Sequence, residues 1–109
     1  METSEHKLAI SEATWQETVV RAVLEEKSAS AICAHVLQHY VELDEEERPP
    51  VLIRTGAQEG RLHSVFLDKV TWAKLMGRRV AEKRPVSAIL EQQLRAYLGM
   101  ELPKAEQEW

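Results

Sequence analysis

An internal repeat constrains this chain more than any other feature of its sequence. When the sequence is shifted by 57 positions, Thr14–Leu43 aligns with Thr71–Met100 without a gap, and ten of the thirty aligned positions are identical. The identical pairs are Thr14/Thr71, Trp15/Trp72, Arg21/Arg78, Val23/Val80, Glu25/Glu82, Ser30/Ser87, Ala31/Ala88, Ile32/Ile89, Leu37/Leu94 and Tyr40/Tyr97. A repeated unit of this size cannot bury its apolar residues alone, so the two copies are expected to fold against each other.

Each copy is predicted to begin with a strand and a helix. The alternating segments His6–Ile10 and His63–Leu67 indicate strands, and Ser11 and Asp68 are N-cap residues for the helices that follow. Apolar residues at three- and four-residue intervals predict the inner faces of these helices: Trp15, Val19, Ala22 and Val23 in the first copy, and Trp72, Leu75, Met76 and Val80 in the second.

A second helix follows a sharp corner in each copy. The corner is predicted at Lys27-Ser28 in the first copy and at Lys83-Arg84-Pro85 in the second, where proline disfavours a helical residue before it. The second helices are predicted to end near Glu42 and at Gly99.

The segment between the copies has two interpretations. Residues 44–60 begin with an acidic run and Pro49-Pro50, and Val51–Thr55 is rich in β-forming residues. This segment forms either an extra strand, paired with the second strand through a turn at Gly56–Gly60, or an extended linker.

The chain is expected to form one domain, residues 1–109. It comprises repeat 6–43, linker 44–60, repeat 61–100 and a loosely held tail, 101–109, with a polar lead before the first strand. The predicted fold class is mainly α with a short antiparallel β-ribbon.

Composition limits the cellular setting. With 44% hydrophobic and 29% charged residues, the 109-residue chain resembles a globular protein, and no apolar run approaches the length of a membrane helix. The first residues, METSEHK, lack the features of a secretory signal, and Cys33 is the only cysteine. The protein is therefore expected to be cytoplasmic, with no membrane partner.

The net charge of −4 conceals an asymmetry between the copies. Residues 1–43 carry an excess of four acidic side chains, whereas residues 61–100 carry an excess of five basic ones. A basic surface favours binding of nucleic acid, but the acidic first half indicates that the surface does not attract nucleic acid uniformly.

Catalytic and metal-binding patterns are not evident. His35 and His39 are four residues apart on a predicted helix, but no third ligand converges on them in the sequence. No catalytic triad and no phosphate-binding glycine loop is present. The chain is expected to be neither an enzyme nor a metalloprotein, and no cofactor is expected.

The strand–helix–helix units resemble the ribbon-helix-helix family of DNA-binding proteins. The resemblance lies in Ser64–Asp68, the helix around Trp72–Val80, Arg84–Leu90 and Leu94–Leu98, with Lys7–Glu12 and Ser28–Val41 as the counterparts. It implies a tandem ribbon-helix-helix pseudo-dimer of order β-α-α-linker-β-α-α, in which one monomeric chain supplies both strands of an antiparallel ribbon.

The resemblance also implies a set of DNA contacts. Outward side chains of the ribbon would enter the major groove, and the starts of the second helices would meet phosphate. The implied ribbon residues are Glu5, Lys7, Ala9, Leu62, Ser64 and Phe66, and the implied phosphate contacts are Ser28, Ala29, Ser30, Val86 and Ser87, with Lys83, Arg84 and Arg78 adding charge. In the alternative phase of the ribbon, Phe66 points inward and His63 and Val65 point outward.

Two functions follow as expectations. The first is sequence-specific binding of duplex DNA by the ribbon, as a small transcriptional regulator or an accessory factor in DNA processing, at an asymmetric site. The second is a protein-interaction module on the same fold, antitoxin-like or an assembly adaptor, motivated by the net acidity and by the few base-reading side chains of the ribbon.

Overall fold

Two strands and four α-helices make up the architecture. A computed structural model describes residues 2–56 and 59–104. The elements are β1 (Thr3–Ile10), α1 (Glu12–Glu25), α2 (Ala29–Val41), a short 3-10 helix (Glu45–Glu47), β2 (Arg61–Asp68), α3 (Lys69–Glu82) and α4 (Val86–Leu98). Part of the predicted turn (residues 57–58) and most of the predicted tail (residues 105–109) lie outside the described residues.

Local capping chemistry explains the helix boundaries. The side chain of Ser11 accepts a hydrogen bond from the Thr14 N–H at 3.4 Å, and that of Asp68 accepts one from the Thr71 N–H at 2.8 Å. Both first helices end at a residue in the left-handed region, and α4 ends at Gly99 in the same region. The four predicted helices are confirmed to within one or two residues at each end.

The two strands pair with each other in antiparallel fashion. Lys7 lies opposite Ser64 at the middle of the ribbon, and Thr3 lies opposite Asp68 at one end. Alternate residues turn inward, so Leu8, Ile10, Val65 and Leu67 are buried in the core. The strands are longer than predicted, because the polar residues Thr3–Glu5, predicted as a loose lead, pair with β2.

The inner faces predicted for the first helices are partly wrong. The buried residues of α1 are Thr14, Thr18 and Ala22, and those of α3 are Thr71, Leu75 and Arg78. Val23 and Val80 are instead 72% and 73% exposed. The threonines of α1 tolerate burial because their hydroxyls are bonded: Thr14 donates to Glu91 at 2.7 Å and Thr18 donates to the Thr14 carbonyl at 2.7 Å.

The predicted fold class, a tandem ribbon-helix-helix pseudo-dimer, needs correction. The described residues follow the order β-α-α-η-β-α-α, with one two-stranded sheet and four α-helices, and a pseudo-dimer is not shown. The extra strand at Val51–Thr55 is also wrong: the connector holds a 3-10 helix and then an extended segment that pairs with neither strand. The amide of Gln92 takes up its backbone groups, accepting from the N–H groups of Leu52 and Ile53 and donating to the Pro50 carbonyl. The alternative of an extended linker is therefore confirmed.

Identical residues of the repeat hold the two halves together. The Tyr40 hydroxyl donates to Glu82 at 2.5 Å, and the corresponding Tyr97 hydroxyl donates to Glu25 at 2.8 Å. The guanidinium of Arg78 lies 5.3 Å from the Tyr40 ring, and that of Arg21 lies 5.4 Å from the Tyr97 ring. Three of the identical pairs of the repeat thus form the contact between the copies, because each of these arginines, glutamates and tyrosines contacts a residue of the other half.

Candidate nucleic-acid interface

The outward face of the β1–β2 ribbon is the surface that the sequence singled out. It carries Glu5, Lys7, Ala9, Leu62, Ser64 and Phe66, in opposed pairs. Leu62 is 63% and Phe66 is 48% exposed, whereas Val65 is fully buried. The phase in which Phe66 points outward is therefore correct. Leu62 and Phe66 thus give the outward face of the ribbon an exposed apolar surface that a ligand could contact.

Polar side chains cluster at the middle of this face. Lys7 Nζ lies 3.6 Å from a Glu5 oxygen, and the Ser64 hydroxyl donates a hydrogen bond to the same oxygen. The bond from Ser64, and next the charge of Lys7, hold the pKa of Glu5 below its ordinary value. Glu5 therefore stays ionised and offsets the charge of Lys7, which makes the centre of the ribbon nearly neutral.

The starts of the second helices lie against the ribbon. The Ser30 hydroxyl, in the first turn of α2, donates to the Ser64 carbonyl at 2.9 Å. Its counterpart Ser87, in the first turn of α4, accepts from the Ala9 N–H at 3.0 Å. Both serine side chains are thus engaged by the strands, so any contact they make with phosphate would come from their backbone N–H groups.

The two helix starts differ in what else they offer. The Ser28 side chain caps α2 by accepting from the Ala31 N–H at 3.0 Å, with the half-buried Ala29 beside it. At α4 the N-cap residue is Pro85, and no side chain among the described residues caps the helix. The side chain of Val86 is buried, which leaves its backbone as the part that can meet a ligand.

The corner before α4 separates two basic residues that the sequence places side by side. Lys83 is exposed and lines an open groove together with Arg79, Val80 and Pro85. Arg84 is only 2% exposed. The guanidinium of Arg84, which was predicted to add charge at a phosphate site, is enclosed within the fold and paired there with Glu82. The charge predicted from Arg78 is unavailable for the same reason, since Arg78 is buried and donates to the Leu43 carbonyl.

Arg84 is a structural tie instead. Its guanidinium donates to Glu82 at 2.7 Å, to the Ile53 carbonyl at 2.8 Å and to the Gln92 amide oxygen at 2.7 Å. It also reaches the Tyr40 hydroxyl at 3.2 Å. One side chain thereby joins the connector, α2, α3 and α4.

Two histidine–tryptophan stacks support the ribbon from behind. The ring of His6 lies 3.7 Å from that of Trp72, and the ring of His63 lies 3.7 Å from that of Trp15. Both histidines are half-buried, and each stacks on the tryptophan of the other half. Burial, and next the charge of Arg61, lowers the pKa of His63. These pairs leave no signal in the sequence, because no local spacing relates a strand residue to a helix of the other copy.

A buried carboxylate fixes α1 relative to α4. Glu91 accepts hydrogen bonds from the Ser11 N–H at 2.9 Å, the Ser11 hydroxyl at 2.6 Å and the Thr14 hydroxyl at 2.7 Å, and it pairs with Arg95 at 3.0 Å. Burial raises the pKa of Glu91, but the bonds from Ser11, Thr14 and Arg95 outweigh burial and leave it below the ordinary value. Glu91 thus acts as a second cap for α1.

The described part of the chain has no cluster of metal-ligating side chains, and its cysteine is buried. There, no group of three or more His, Cys, Asp or Glu residues is arranged to hold a metal ion. Burial raises the pKa of the Cys33 thiol to about 12, which keeps it protonated and unreactive. In residues 2–56 and 59–104, no helix is long and apolar enough to cross a membrane.

Comparisons of the chain with protein-family models, curated proteins and solved structures give no match. The ribbon-helix-helix resemblance therefore remains a prediction from the residues quoted above.

Proposed function

We propose that this protein binds duplex DNA by inserting the outward face of its β1–β2 ribbon into the major groove. The observation that carries the proposal is the exposed ribbon face, with Lys7 opposite Ser64 at its middle and a helix start attached to each strand. The major groove is wide enough for a two-stranded ribbon and presents a distinct pattern of donors and acceptors at each base pair.

Four of the six outward side chains contact bases in this proposal. Lys7 donates to guanine acceptors, and Ser64 donates or accepts. Ala9 and Phe66 contact thymine methyl groups. The first turns of α2 and α4 present backbone N–H groups to phosphates on either side of the groove, where the helix dipoles favour an anion.

The charge difference between the halves predicts an asymmetric DNA site. The α3–α4 corner carries exposed Arg79 and Lys83, whereas the corresponding positions of the first half are Ala22 and Glu26. Phosphate contact is therefore stronger on the side of the second half. A symmetric operator would leave one half-site poorly bound, so we propose that the target is not palindromic. In this proposal the protein is a small transcriptional regulator or an accessory protein in DNA processing. It acts in the cytoplasm, where Cys33 stays a reduced thiol.

A salt titration of binding to labelled random-sequence duplexes, followed by fluorescence anisotropy, tests the proposal. Affinity for DNA should fall steeply as the salt concentration rises. Lys83→Gln should reduce the magnitude of the slope of log affinity against log salt concentration by about 1, the value expected for the loss of one phosphate contact. Arg48→Gln, which removes a charge from the exposed connector, is the matched control and should leave the slope unchanged. Duplex binding that is absent at low salt would reject the proposal.

Glu5 gives a second test, in which replacing a residue of the proposed interface should increase the affinity for DNA. Its carboxylate lies among the residues proposed to enter the groove and offsets Lys7. Glu5→Gln should therefore increase affinity for random duplexes, because it removes repulsion from phosphate and releases Lys7. Lys7→Gln should do the opposite. A decrease in affinity with Glu5→Gln would contradict the orientation proposed for the ribbon.

A second candidate function is protein recognition by the same surface. The exposed Leu62 and Phe66, beside a nearly neutral centre, favour it, because exposed apolar side chains on a ribbon suit a protein partner. In this case the protein is an antitoxin-like module or an assembly adaptor. Phe66→Ala would then abolish retention of a protein partner in a pull-down, whereas Lys83→Gln would have no effect.

A further inference from the structure

The outer faces of α1 and α3 are exposed strips that do not take part in the core. We define the α1 strip as Ala13, Gln16, Val20, Val23 and Leu24, and the α3 strip as Val70, Ala73, Gly77, Val80 and Ala81, which occupy the corresponding positions of the repeat. All ten residues are exposed. All of them except Gln16 are apolar, and clustered exposed apolar residues mark sites of interaction between proteins.

The two strips differ in bulk. Three positions of the α1 strip carry larger side chains than their α3 counterparts: Gln16 against Ala73, Val20 against Gly77, and Leu24 against Ala81. The space above Gly77 is open, since a Cβ placed there would meet no heavy atom within 4 Å. At the remaining position that differs the order is reversed, since Val70 is larger than Ala13. The α1 strip is therefore a ridge from Gln16 to Leu24, and the α3 strip is a shallow depression centred on Gly77, with Val70 at its edge.

The charges beside the strips are opposite. Glu12, Glu17 and Glu26 flank the α1 strip, and lysines occupy the three corresponding positions beside the α3 strip: Lys69, Lys74 and Lys83. All six residues are exposed. Lys74 makes an exposed ion pair with Glu42 at 3.5 Å, whereas no ion pair involves Lys69 or Lys83 within the described ranges.

We propose that a second copy of this chain docks here, with the α1 strip of one copy on the α3 strip of the next. This pairing puts a ridge into a depression and glutamates beside lysines. The alternatives, α1 on α1 or α3 on α3, would oppose like charges, which weakens association. The interface is therefore heterologous, and chains joined in this way add head to tail rather than stopping at a symmetric dimer. The proposal concerns self-association and does not depend on DNA binding.

Sedimentation velocity over a range of protein concentrations tests the proposal on the full chain. The wild-type sedimentation coefficient should increase with concentration in low salt and much less in high salt, because the flanking charges are exposed. Val20→Gln and Gly77→Gln should each lower the association constant by about tenfold or more. Gly77→Gln also replaces a helix-destabilising residue, so loss of the fold does not explain its effect.

Mixing the two variants distinguishes this interface from any symmetric one. Val20→Gln retains an intact α3 strip, and Gly77→Gln retains an intact α1 strip. An equimolar mixture should recover association but stop at two chains. Leu62→Gln, which removes an exposed apolar side chain from the ribbon, is the matched control and should associate like the wild type. A wild-type chain that stays monomeric, or a mixture no better than its components, overturns the proposal.

A charge exchange tests the electrostatic part separately. Glu17→Lys and Lys74→Glu should each weaken association, because each places like charges on facing strips. Both changes in one chain should restore it, since the charges are then opposite again and the net charge equals that of the wild type. If the double variant associates no better than the single variants, the proposed facing of these two strips is refuted.

Discussion

Two neighbouring basic residues show how strongly burial changes the role of a side chain. Lys83 is exposed at the corner between α3 and α4, while the guanidinium of Arg84 is buried among acceptors from three other segments. A planar guanidinium with five donors can satisfy several fixed acceptors at once, which a lysine ammonium cannot do in the same geometry. Arg84 therefore stabilises the fold, whereas the ammonium group of Lys83 remains at the surface.

Alanine substitutions should separate these roles. Arg84→Ala removes a buried guanidinium and its hydrogen bonds to Glu82, the Ile53 carbonyl and Gln92, and should lower the free energy of unfolding by about 3–5 kcal/mol. Lys83→Ala should change it by no more than about 0.5 kcal/mol, as is usual for exposed residues. Urea denaturation followed by circular dichroism measures both. Equal losses from the two variants would contradict the contacts described here.

Glu91 should make the stability of the protein depend on pH in the acid range. Its pKa is lower in the folded chain than its ordinary value of 4.5, so the unfolded chain binds the proton more tightly. The stabilisation from ionised Glu91 is therefore fully present above about pH 4.5 and is lost as the pH falls through the folded pKa. Glu91→Gln should be less stable at neutral pH and should lose less stability on acidification. Unfolding free energies of both proteins across this range test the prediction, and identical pH profiles would rule it out.

At the scale of elements, the connector is ordered by α4 rather than by a strand. Gln92, buried on α4, receives two N–H groups of the connector and donates to the Pro50 carbonyl. Two N–H groups and two carbonyl groups of the segment are thus satisfied without a sheet partner. A β-rich composition at Val51–Thr55 reflects partial burial here, not pairing.

Removing this amide should release the connector. Gln92→Ala is expected to speed tryptic cleavage after Arg54 several-fold, because local opening of the connector then becomes easier. Gln93→Ala, next to it on α4 and bonded to no connector residue in the described chain, is the matched control. Mass spectrometry of early fragments identifies the cut sites. Equal cleavage rates in the two variants would show that Gln92 does not hold the segment.

At the scale of the whole molecule, neither half is a separate folding unit. The ribbon takes one strand from each half, α1 packs on α4, and α2 packs on α3. Glu91 caps a helix of the other half, and each ribbon histidine stacks on the tryptophan of the other half. Opening one half would thus expose the core of both.

A single unfolding transition is therefore expected. Tryptophan fluorescence reports on the stacks behind the ribbon, and far-ultraviolet circular dichroism reports on the helices. In urea the two signals should give the same midpoint and the same slope. Two separate transitions would instead mean that one repeat unfolds while the other persists.

The repeat, the helix boundaries and the alternation of the strands could all be read from local residue patterns. Capping residues act within three or four positions of a helix start, and strand alternation has a fixed period, so both leave signals in neighbouring residues. The outward set from Lys7 to Phe66 follows from the same alternation once one inward residue is known.

The remaining features depend on residues far apart in the chain. The burial of Arg84, the placement of Thr14 inside, and the linker without a strand depend on partners between 31 and 80 positions away. A side chain enters the interior when distant groups satisfy its polar atoms, and local hydrophobicity carries no information about those groups. Helices and strands were thus encoded in short segments, whereas the choice of which arginine is buried and which valine meets solvent required the assembled chain.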